Sequence, residues 1–126
     1  MNRFRKIYDE PIVYLIDYSD LKVSEMVDLL HEAENMMLEK SLKCCLISVF
    51  NDRNFATPLF MREAEKVASN VDHLIQHQAI VGLNSTKKII LKGFNLLLNR
   101  DYKSFDSMDD ALQYLLQLTP PKDNQQ

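Results

Sequence analysis

Apolar residues follow two alternating rhythms along this chain: short unbroken runs, and longer stretches in which they recur every three or four positions. Ile12, Val13, Tyr14, Leu15 and Ile16 form the first run. They predict a buried strand over 12–16, closed by the turn formers Asp17, Tyr18, Ser19 and Asp20. Residues 3–8 predict an earlier strand at the sheet edge, joined to it as a hairpin around Asp9, Glu10 and Pro11. Ser24 is placed to cap a helix on which Met26, Leu29, Leu30, Ala33 and Met37 share one face, while Glu25, Asp28, Glu32 and Glu39 occupy the other. Residues 42–50, rich in Cys, Leu, Ile and Val, predict the next buried strand.

A polar loop over 51–56 comes next. Thr57 then offers a capping hydroxyl and Pro58 a proline at the first helical position. The stripe of this second helix is Phe60, Ala64, Val67, Ala68, Val71 and Leu74. Residues 78–82 predict a strand, and Asn84, Ser85 and Thr86 open a third helix with Ile90, Phe94 and Leu97 facing inward. A short strand over 102–105 follows. Ser107 with Asp110 resembles a capping box for a last helix lined by Met108, Ala111, Leu112 and Leu115. Residues 119–126, with two prolines and a polar end, predict a flexible tail.

The order β-β-α-β-α-β-α-β-α, with strands too apolar to be half exposed, predicts an α/β fold. The expectation is one domain over 1–118, with four helices and a mostly parallel four- to five-stranded sheet that begins in a β-hairpin. Right-handed crossovers leave few topologies open.

Composition narrows the function classes. In 126 residues, 46% are hydrophobic and 26% charged, the balance of one globular domain. The net charge of −3 and pI near 5.6 argue against nucleic acid, whose phosphates select basic proteins. No apolar run approaches the ~18–20 residues that span a bilayer. The basic start is followed by Asp9, Glu10 and Pro11 and not by an apolar leader segment, so the expectation is a cytoplasmic protein, not an integral membrane one. Cys44 and Cys45 are adjacent and would point to opposite faces of a strand, which suits buried hydrophobes better than a disulfide.

Three stretches resemble a known group. Residues 14–21, Tyr-Leu-Ile-Asp-Tyr-Ser-Asp-Leu, are similar to the Y-x-D-Y-S-G-L opening of bacterial STAS-like proteins, the relatives of sporulation anti-sigma-factor antagonists. Ala79, Ile80, Val81 and Gly82 match their A-V-V-G, and residues 105–115 resemble their F-D-T-x-E-E-A-L-x-W-L. The resemblance spans about residues 3–117. It implies a STAS-like fold and a regulatory, protein-binding role in which the second helix meets the partner. The regulated antagonists carry a phosphorylated serine after an aspartate just before that helix. Here the interval reads Asn54, Phe55, Ala56, Thr57 and Pro58, so Thr57 is the candidate phosphorylation site.

Candidate chemistry is sparse. Asp17, Asp52 and Lys103 fit a phosphoacceptor site only loosely, and aspartates at strand ends serve turns equally well. His73 and His77 are four apart, a metal-ligand spacing on a helix, yet no third ligand is obvious. With two glycines, neither opening a phosphate loop, no nucleotide site is expected. The third helix and its exit carry Lys87, Lys88, Lys92, Arg100 and Lys103 against Asp101, opposite in sign to the first helix; solvated surfaces are the default reading of these faces, and steering or self-association into a homodimer is the alternative. No catalytic set, metal or cofactor is therefore expected. The expected function is a non-catalytic protein-binding module using Asp52, Asn54, Phe55 and Thr57. The alternative is a carrier of a small hydrophobic ligand, with Met26, Met36, Met37, Leu96, Leu97 and Leu98 as adaptable apolar surface.

Overall fold

The computed structural model describes residues 2–55 and 57–119, excepting the side chains of Phe94, Leu97 and Leu98. The expected tail beyond Thr119, and the inward positions expected of Phe94 and Leu97, fall outside the described residues. The elements are β1 (Phe4–Asp9), β2 (Ile12–Asp17), α1 (Val23–Lys40), β3 (Cys44–Val49), α2 (Pro58–Val71), β4 (Ile75–Val81), α3 (Ser85–Leu98), β5 (Lys103–Phe105) and α4 (Met108–Leu118).

Five strands form one sheet in the order β1-β2-β3-β4-β5. The β1 strand is antiparallel to β2, and the other neighbours are parallel. Each parallel crossover moves one position in the same direction, so right-handed connections place α1, α2 and α3 on one face. The chain then leaves β5 at the edge and α4 covers the reverse face.

Strand alternation supplies two separate cores. Tyr14, Ile16, Cys44 and Leu46 bury toward α1 and α2 with Phe4, Met26, Leu29, Leu30, Phe60, Val67 and Val71. Val13, Leu15, Cys45, Ile47, Ala79 and Val81 bury toward α4 through Ala111 and Leu115. The adjacent cysteines thus belong to different cores, and both are free thiols. Burial pushes Cys44 up to about 11 and raises Cys45 as well, so neither is a ready thiolate.

Local signals were met with three corrections. Ser24 lies within α1. The cap is Lys22, whose N–H is accepted by the Glu25 carboxylate at 2.9 Å, a bond that needs no hydroxyl. The second helix stops at Val71, and β4 begins at Ile75, three residues earlier than expected. Leu74 is therefore buried in a turn, and His77 lies on a strand opposite Cys45, which dissolves the helical histidine pair. Ile90 faces the space beside the sheet as expected but is two-fifths exposed and not buried. Thr57, Asn84 and Ser107 each cap their helix by accepting the N–H three residues on, at 3.2, 2.9 and 3.1 Å.

Gly82 at the exit of β4 has φ +92°. A Cβ there would sit 1.9 Å from the Phe50 carbonyl oxygen, so only glycine lets this turn cross the end of β3 and launch α3.

A candidate ligand cavity

The strand ends on the α1–α3 face carry an aromatic cluster. Tyr18 stacks on Phe50 at 4.9 Å between ring centres, and Phe60 meets both edge-on. Full burial pushes the Tyr18 phenol well above its ordinary range, so it is neutral. The loop over 51–54 is fastened above this cluster by Asn54. Its amide donates to the Tyr18 carbonyl at 2.8 Å and the Leu21 carbonyl at 3.1 Å, and its Oδ1 accepts from Asn51 N–H at 2.8 Å.

This geometry separates the residues expected to meet a partner. Asn54 is 2% exposed and its hydrogen bonds are satisfied internally. Phe55, by contrast, is 69% exposed. Asp52 is exposed and accepts from the Asn84 amide at 3.3 Å, tying this loop to the start of α3. Thr57 is half-buried with its Oγ engaged by Phe60 N–H. The loop thus presents Phe55 and Asp52 to solvent, with Leu59 of α2 also half in water.

The two flanks of α2 differ. Toward α1, His31 Nε2 meets Glu63 at 3.1 Å and Asn70 donates to Glu34 at 2.8 Å, so these helices are clasped side by side. Toward α3 there is no comparable clasp among the described residues, and Arg100, just past α3, reaches across to the end of α2. Arg100 donates to both oxygens of Asp72, at 2.6 and 2.8 Å, and reaches Glu65 at 3.6 Å. The inner surface of α2 on this flank is Ala64 and Ala68, too small to bridge the gap.

What results is a cavity of about 140 Å³ between the sheet, α2 and α3, extending beneath α1. Strand residues Leu46, Ser48 and Ile80 form its floor, Met61, Ala64 and Ala68 one wall, and Ile90 and Leu91 the other. Phe50 and Phe55 stand at the loop end, and Gln78 and Tyr102 are among the few polar side chains. Among the described residues Lys87 contributes the only charged group of the lining, its Nζ donating to the Asn51 carbonyl at 3.2 Å. Of the residues expected to line a hydrophobic ligand, Met26 and Met37 do so. Met36 is exposed, Leu96 is 87% exposed, and the Leu97 and Leu98 side chains fall outside the description.

The other candidate chemistries are not assembled. Asp17 accepts from Ser19 N–H and Oγ at 3.0 and 2.6 Å, a turn role, while Lys103 pairs with Asp101 at 2.9 Å. Together with Asp52 on Asn84, these three residues point to separate partners. Among the described residues no three His, Cys, Asp or Glu side chains are grouped to hold a metal. The basic cluster is largely neutralised: Lys88 meets Asp106 at 3.3 Å, and Arg100 and Lys103 are paired as above. Among the described residues no helix is long and apolar enough to cross a membrane.

Sequence reasoning missed the cavity. Its signal was the pair Ala64 and Ala68, small residues in a stripe where Phe60, Val67 and Val71 are large, with Lys87 heading the inward face of α3 by its spacing to Ile90 and Leu91. No protein-family model, no curated protein and no solved structure matches this chain.

Proposed function

We propose that this domain carries or senses a small hydrophobic ligand, seated between the sheet and the α2 and α3 helices. The observation that carries this reading is the cavity itself. Close-packed interiors rarely leave voids larger than a water, and this one equals the roughly 150 Å³ apolar space that takes up benzene or xenon. An apolar lining with a few polar groups is the usual character of a ligand pocket. The ring of Phe55 stands where it would cover an occupant. Titration with hexan-1-ol, followed by methyl NMR, should shift Ala68, Ile80 and Leu91 together and saturably. No shift at these three positions, with shifts elsewhere or nowhere, would reject the reading.

A second reading rests on the exposure of Phe55 and Leu59 beside the start of α2. Two apolar side chains in water at a helix start suit a protein partner, as the STAS-like resemblance implies, and in this reading the domain acts as a regulatory module. Thr57 in this setting is a modification site at a helix N-terminus, where a phosphate dianion is favoured by the helix dipole. Replacing Phe55 and Leu59 with alanine should remove the partner from a pull-down while leaving the melting temperature within about 2 °C, since surface changes rarely exceed ~0.5 kcal/mol. Unchanged capture by the double variant would exclude this surface.

A further inference from the structure

From the lining's charge we infer the chemical class of the ligand: an aliphatic or aromatic monocarboxylate, its chain in the cavity and its carboxylate on Lys87. This rests on the ligand-carrier reading above. Among the described residues, Lys87 is the only charged side chain around the cavity, and its ammonium has a carbonyl acceptor, Asn51 at 3.2 Å, but no carboxylate. Two lysines near it are paired with acids, Lys88 with Asp106 and Lys103 with Asp101. The one acid close in the loop, Asp52, is held by the neutral amide of Asn84. A partly buried cation beside an apolar space, with a carbonyl as its acceptor, has capacity left to pair with an anion.

Position adds to charge. Lys87 lies in the first turn of α3, where the helix presents the positive end of its dipole. Its half-buried stem lies along the wall beside Ile90 and Leu91, and its ammonium reaches the loop at Asn51. A ligand lying along Ile80 and Leu91 would therefore end at the ammonium. A single cation balances a single negative charge, which favours a carboxylate over a phosphate dianion, whose second charge would have no cation to meet.

The test compares hexanoate with hexan-1-ol, equal in chain length, by methyl NMR titration at pH 7, where the acid is ionised. Wild-type protein should prefer hexanoate by about fivefold, the scale of one partly exposed ion pair. The Lys87→Met variant should lose that preference and keep its affinity for hexan-1-ol, and Lys87→Arg should retain the preference. Equal binding of both compounds to the wild type, or a preference that survives in Lys87→Met, overturns the carboxylate assignment while leaving the carrier reading intact. Binding of neither compound overturns both.

Discussion

Filling the cavity is the perturbation whose outcome follows most directly from this structure. Ala68 sits on the flank of α2 that faces α3, and its methyl group lines the gap. In Ala68→Leu three further carbon atoms enter space that is already apolar and empty of protein atoms. At about 0.8 kcal/mol per buried methylene the gross gain is roughly 2.4 kcal/mol. Fixing the leucine rotamer costs about 0.5–1 kcal/mol. The net expectation is a stabilisation of about 1.5 kcal/mol, or a rise of roughly 6 °C in Tm for a domain of this size. Ala68→Met, with a more adaptable side chain, should show the same sign with a smaller gain. Urea denaturation gives the free energy, and a hexan-1-ol titration of each variant reports the remaining space. A well-packed site would respond oppositely, because overpacking costs about 1–3 kcal/mol. If both variants lose stability, or if Ala68→Leu gains stability and still binds hexan-1-ol as the wild type does, the cavity does not lie where this account puts it.

Other consequences are equally open to measurement. Asn54→Ala should cost about 2–4 kcal/mol in urea denaturation, because two carbonyls and one N–H lose a buried partner; a loss under 1 kcal/mol would show the loop does not depend on it. His31 is raised above its ordinary 6.5, first by its hydrogen bond to Glu34 on its own helix and, against some desolvation, by Glu63 on α2, which also pairs with Lys66. A group raised in the folded state stabilises fully below its unfolded pKa and ceases to do so as pH rises through the folded value. The urea midpoint of the wild type should therefore exceed that of His31→Gln at pH 6 and converge on it by pH 8, and a gap that widens with pH would contradict the clasp. Ser41 ends α1 at φ 54°, a left-handed position that glycine adopts without a Cβ penalty. Ser41→Gly should raise stability by about 0.5 kcal/mol, and a loss would mean the serine side chain has a role the backbone does not show.

Much of the fold was legible because its signals are local. The runs at 12–16 and 42–50 contain the strands Ile12–Asp17 and Cys44–Val49, and Thr57, Asn84 and Ser107 cap the helices that follow them. Misplacements arose where two rhythms met. Residues 74–77 continue the helical spacing of α2 by chance, but Leu74 lies in a turn and pairing with β3 claims the residues from Ile75 onward for β4. Lys22 succeeded over Ser24 as cap because Glu25 reaches back to its backbone, an arrangement that side-chain type alone does not reveal. The site was less legible. Asn54 and Asp52 look alike as polar loop residues, and only the three-dimensional approach of the Tyr18 and Leu21 carbonyls separates a buried fastening from an exposed side chain. The gap beside Ala64 and Ala68 depends on how far α3 stands from α2. That spacing follows from the Gly82 turn and the Arg100 strut, which no periodicity records.

The ligand-carrier role proposed for this domain depends on a largely apolar space between the sheet, α2 and α3. Crystals of the protein pressurised with xenon test it most directly, because xenon enters such spaces without needing any particular chemistry. The account predicts xenon density within contact of Ala68, Ile80 and Leu91. Density elsewhere only, or side chains of α3 filling that volume in the crystal, would contradict it.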